Sequence, residues 1–173
     1  MLIAFYKTTR PGRQGIANRI IRLRLRSKYS HCELVFEPDD QVDQWMPDRS
    51  AARGEDGSLW CASSVAAEVL PEHTPRRGGK TGGVRFKRIV LNPDHWDLQR
   101  VAVNPKLAAQ WFAEHEGELY DWQLILGFVS WVIPHKSSRW TCSEASAAAC
   151  GVPEDDAWRF DPANLHAASG AWM

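Results

Sequence analysis

The sequence predicts an α+β fold, a mainly antiparallel sheet packed against helices, on three observations. Runs of β-like residues crowd the N-terminal half, helix start and stop signals crowd the C-terminal half, and the segments between the runs are rich in Pro, Gly and charge. Strands gathered ahead of helices argue against alternating βαβ units and for helices packed on one sheet face.

The strand candidates, in order, are "LIAFY" (2–6), "HCELVF" (31–36), "LWCAS" (59–63), "VRFKRIV" (84–90) and a fifth over 98–103. Each is short and enriched in β-branched or aromatic residues. The stretches 37–58 and 71–83 carry the Pro, Gly and charge of loops. Residues 16–28, "IANRIIRLRLRSK", fit a helix that puts Ile16, Ile20 and Leu23 on one stripe and Arg19, Arg22 and Arg26 on another. The alternation over 23–26 also fits a strand. Further on, Asn104 and Pro105 supply a cap and a first helical residue, and Gly117 an exit. Asp121 opens an apolar helix that Pro134 stops, and Asp161-Pro162 opens a last short one.

A chain of 173 residues, 44% hydrophobic and 24% charged, is long enough to bury a core as a single domain spanning 1–173. The N-terminus turns polar after six residues, without the sustained apolar run of a secretory signal. The apolar run 122–134 is too short to span a bilayer. Cytoplasmic synthesis is therefore expected, with delivery elsewhere left open. Charge is balanced overall but uneven, with eight basic and no acidic residues up to Cys32. That basic segment is a candidate for contact with an anionic surface. It carries no nucleic-acid-binding motif, so no nucleic acid is expected as partner.

Four cysteines, Cys32, Cys61, Cys142 and Cys150, match no zinc spacing and suggest no disulfide framework. No cofactor is expected. Cys142 stands out because Thr141 to Glu144 form the T-x-x-E capping box. It falls at the first helical position, where free amides and the positive end of the helix dipole favour a thiolate. The small residues after it let the helix approach a sheet closely. A base is at hand in "YSHCELVF", where strand alternation puts His31 and Glu33 on one face and Cys32 on the other. The carboxylate can orient the imidazole.

The order of these motifs, "YSHCELVF" early and "WTCSEA" late, resembles the permuted branch of the NlpC/P60 superfamily, papain-like cysteine hydrolases of the YiiX-like type. The likeness extends to "YDW" before the apolar helix, to "GVRFKRIVL" and to "DPANL". It implies a circularly permuted papain-like fold, with Cys142 as nucleophile, His31 as base and Glu33 as third polar residue. Asp43, or another acid of the following segment, is an alternative for the third role. Tyr6, Tyr120, Trp140 and Ser143 are candidates to line the substrate or oxyanion pocket.

The resemblance implies hydrolysis of an amide, peptide, ester or thioester through a thioacyl intermediate, on a peptide, cell-wall or lipid-linked acyl substrate. A second class of function is a non-catalytic papain-like module within a larger assembly, such as a phage virion. A metal site built from His31, Glu33 and Cys142 ranks last, because no fourth ligand is identifiable.

Overall fold

A computed structural model describes residues 1–9, 19, 21–75, 81–121 and 139–172. Five strands, β1 (Leu2–Tyr6), β2 (His31–Val35), β3 (Leu59–Val69), β4 (Thr81–Ile89) and β5 (Trp96–Arg100), form one antiparallel sheet in the order β4-β3-β2-β1-β5. A short parallel ladder joins β6 (Leu119–Tyr120) to β7 (Arg139–Trp140). The described helices of the C-terminal half are α1 (Pro105–His115), α2 (Cys142–Ala149), α3 (Glu154–Ala157) and α4 (Pro162–Ser169). The architecture is α+β.

Local caps account for where the helices begin. The Asn104 side chain accepts from the amides of Lys106 and Leu107, and Asp161 from those of Ala163 and Asn164, each just ahead of a proline. Gly117 adopts a left-handed conformation two residues past α1. The apolar helix expected over 122–134 lies outside the described residues.

Strand alternation sorts the sheet into two buried faces. Ile3, Phe5, Leu34, Ala62 and Phe86 pack with Phe112 of α1, Ala145 of α2 and Leu165 of α4. Ala4, Tyr6, Val35, Cys61 and Trp96 form a separate cluster on the opposite face. Each fully buried large side chain contributes about 1.5–3 kcal/mol of transfer free energy.

Several expectations need correction. β5 starts at Trp96 and stops at Arg100, because its partner β1 offers only Leu2 to Tyr6 for pairing. The hairpin of β3 and β4 is longer than expected, and the glycine stretch assigned to a loop enters β4. Gly83 pairs with Val65 at a φ of 136°, and a Cβ there would lie 2.3 Å from the Glu118 carbonyl oxygen. The glycine lets the β6 backbone come close enough for the Val84 amide to donate to Glu118. Residues 21–25 are helical, so the strand alternative is not adopted, but Leu23 is exposed rather than facing the core. Ile16 and Ile20 lie outside the described residues. Among the described residues, no helix is long and apolar enough to cross a membrane.

Candidate active site

The site is assembled where β2 and β3 part. Their ladder pairs Leu34 with Ala62 and Val35 with Cys61, and goes no further towards His31. Beyond it, the Ser63 hydroxyl donates to the Cys32 carbonyl at 2.7 Å and the Ser64 hydroxyl to the Trp140 carbonyl at 2.7 Å. β7 is thereby anchored to β3, and α2 starts two residues later against the parted strands.

Thr141 caps α2. Its hydroxyl accepts from the Glu144 amide at 3.3 Å, and the Glu144 carboxyl accepts from the Thr141 amide at 3.1 Å. The reciprocal box leaves the amides of Cys142 and Ser143 at the helix mouth, where no intrahelical acceptor exists. All eight residues of α2 are buried, which only a run of Ala, Ser and Cys side chains with one capped glutamate permits so close to a sheet.

Cys142 presents its sulfur to the edge of β2. Cys32 and His31 of β2 both act on the thiol, and both favour its ionised form. His31 and Cys32 point to opposite faces of the strand.

His31 is held from behind. Its Nε2 lies 2.9 Å from Glu33 Oε1, which leaves Nδ1 as the ring nitrogen for the thiol. Trp96 packs beside the imidazole with ring centroids 6.3 Å apart. Glu33 is fully buried and receives two hydrogen bonds of 2.7 Å from Arg85, itself 1% exposed. Arg85 reaches Glu33 from two strands away. Ser63 pairs with Arg85 and lies beside β2, and its small side chain leaves the guanidinium room to cross. Glu68 lies 3.5 Å from Arg85 and pairs with Lys87.

The electrostatics favour an ion pair. The Cys142 thiol is pushed well below its ordinary range by the Cys32 hydrogen bond and by the charge and hydrogen bond of His31, against the opposing effect of burial. Burial disfavours the His31 imidazolium, but the Cys142 thiolate and Glu33 outweigh it and raise its pKa to about 9. Burial likewise opposes ionisation of Glu33, and Arg85 overcomes it, holding the carboxyl well below the usual carboxylate range. Burial alone lifts Cys150 to about 12.

Glu144 behaves differently. Burial, aided by the charges of Asp121 and Cys142, raises its carboxyl to about 7 despite the hydrogen bonds from Thr141. The folded state then holds a proton that the unfolded chain releases above its ordinary value of 4.5, so this contribution to stability is lost as pH rises from there through 7. Glu144→Gln keeps the capping acceptor and removes the titration. The stability difference between the two proteins, from urea midpoints at pH 4 and pH 8, should change by on the order of 3 kcal/mol. An unchanged difference would show that the carboxyl titrates normally.

Among the residues singled out from sequence, the structure brings together Cys142, His31 and Glu33. Tyr6 pairs across the sheet with His31 and packs on Trp96 at 5.0 Å between ring centroids. Tyr120 is buried, and burial together with the Cys142 charge raises its phenol pKa. Ser143 is buried at the second helical position. The ring of Trp140 turns away towards α1, against Trp111 and His115, and its Nε1 donates to Glu118 at 2.6 Å. Asp43 accepts from the Ala52 amide at 3.2 Å, and Glu33 holds the place beside His31. Among the described residues, no group of His, Cys, Asp and Glu is arranged to hold a metal ion.

Sequence reasoning misses Arg85 and the contact of Cys32. The signal for Arg85 is a cation alternating with Val84 and Phe86, but its partner depends on strand order. A cleft of about 620 Å³ opens at the same end of the sheet as His31, lined by Lys7, Lys28, Tyr29, Trp96, Asp97 and His166 among others. No family model, curated protein or solved structure matches the chain.

Proposed function

We propose that the protein is a cysteine hydrolase of the permuted papain-like, NlpC/P60 type, cleaving an amide, ester or thioester bond. The observation that carries this is the Cys142–His31 pair at a helix mouth, with the imidazole backed by a carboxylate that Arg85 locks in its ionised form. A buried ion network of this kind is costly to assemble for stability alone.

The Cys142 thiolate attacks the substrate carbonyl carbon, and the resulting oxyanion is held by the amides of Cys142 and Ser143. The His31 imidazolium gives its proton to the leaving nitrogen, oxygen or sulfur as that bond breaks, leaving a thioacyl enzyme. His31 then takes a proton from water as the oxygen attacks the thioester, and the thiolate departs. Glu33 fixes the ring and supports its positive charge. The substrate class is a peptide, cell-wall or lipid-linked acyl compound.

The test is the pH dependence of alkylation at each cysteine, read by mass spectrometry on the native protein and on His31→Ala. Cys142 is expected to react fastest well below pH 8 and to slow when His31 is removed, while Cys150 stays slow. Turnover should fall as pH rises through about 9, where His31 loses its proton. A Cys142 no faster than Cys150 would overturn this function and favour a non-catalytic module.

A further inference from the structure

Cys142 has a thiol neighbour that hydrolysis leaves idle. Cys32 is fully buried on the helix-facing side of β2, and its Sγ lies 3.6 Å from Ser146 Oγ. Ser146 follows Cys142 by four residues, hence one turn along the same flank of α2. A side chain that touches Ser146 lies one helical turn from Cys142 on the same flank, and Cys32 is the first influence on the Cys142 thiol. The other thiols are elsewhere: Cys61 belongs to the cluster on the opposite sheet face, and Cys150 lies past the far end of α2.

We propose that Cys32 is a resolving thiol, and that a hydroperoxide converts the Cys142–Cys32 pair into a reversible disulfide that switches the hydrolase off. This rests on the assignment of Cys142 as the activated nucleophile. The Cys142 thiolate attacks the terminal peroxide oxygen, the O–O bond breaks, and the departing hydroxide or alkoxide takes a proton, leaving a sulfenic acid. The Cys32 sulfur then attacks the Cys142 sulfur, the S–O bond breaks, and the Cys32 proton leaves with that oxygen as water. The peroxide is reduced and the two thiols are oxidised. Cys142 retains 5% exposure, enough for a small oxidant, whereas Cys32 has none and cannot be oxidised first by direct encounter. In the resting state burial, followed by the neighbouring thiolate, keeps Cys32 protonated, and sulfenylation of Cys142 removes the second of these.

The experiment treats the native chain with hydrogen peroxide, alkylates under denaturing conditions, and maps the peptides with and without dithiothreitol. The expected result is a Cys32–Cys142 linked peptide, loss of alkylation at those two cysteines only, and full recovery of both by dithiothreitol. Cys32→Ser should instead carry Cys142 on to sulfinic or sulfonic acid that dithiothreitol does not reverse, but the wild-type map decides the question even if that variant folds poorly. A Cys142 that alkylates fastest in the untreated protein yet over-oxidises with Cys32 free, or links to Cys61 or Cys150, overturns the pairing alone. A Cys142 that is slow to alkylate and inert to peroxide overturns the nucleophile assignment and this proposal with it.

Discussion

Cys142→Ala should abolish turnover of any amide, ester or thioester reporter that the wild-type protein cleaves, a loss on the order of 10⁴-fold or more. The fold should persist. Alanine is the best helix former, and removing one small buried side chain costs about 1 kcal/mol, a shift of a few degrees in melting temperature. A second measurement separates chemistry from packing. The His31 pKa, followed by NMR, should drop below about 9 in the variant, because the thiolate's charge and hydrogen bond are gone while burial remains. Retained turnover would overturn the nucleophile assignment.

Arg85→Met should have the largest effect on stability. Removing one partner of a buried ion pair strands the other charge, and Glu33 is fully buried. The cost is about 3–5 kcal/mol, or roughly 10 °C in melting temperature for a chain of this length. Turnover falls as well, since a Glu33 that protonates or swings away no longer orients His31. The double variant Arg85→Met/Glu33→Gln should regain part of the stability, because a neutral amide needs no counter-ion. It should not regain turnover, because the amide cannot support the imidazolium. A single variant with wild-type stability and pH profile would show that the pair does not position His31.

What the amino-acid sequence makes legible in this site, and what it hides, divides by distance along the chain. Helix starts are local events: Thr141 and Glu144, Asn104 and Pro105, Asp161 and Pro162 each sit within one turn, so their chemistry is visible in a few letters. The shared face of His31 and Glu33 follows from strand alternation alone. The partner of Glu33 does not, because Arg85 is 52 residues away and meets it only through the order β4-β3-β2 and a small residue between them. Alternation also puts Cys32 on the opposite side of the strand from His31. Its contact with Cys142 depends on where the β2–β3 ladder stops, a property of the whole sheet. Gly83 looks like a loop residue for a similar reason, since its role is to admit a β6 backbone more than 30 residues downstream.

The burial of the Glu33–Arg85 pair carries a consequence for how the protein responds to its medium. Dissolved ions screen charges over about 10 Å at 0.1 M, but only where solvent reaches them. Lys28 and Asp97 at the rim of the cleft are exposed or half-exposed, so added salt loosens their 2.8 Å contact. Glu33 and Arg85 behind the thiol, 0% and 1% exposed, have no such contact with the medium. Ionic strength therefore acts on the exposed pair and spares the buried one, so the two respond to the surroundings separately.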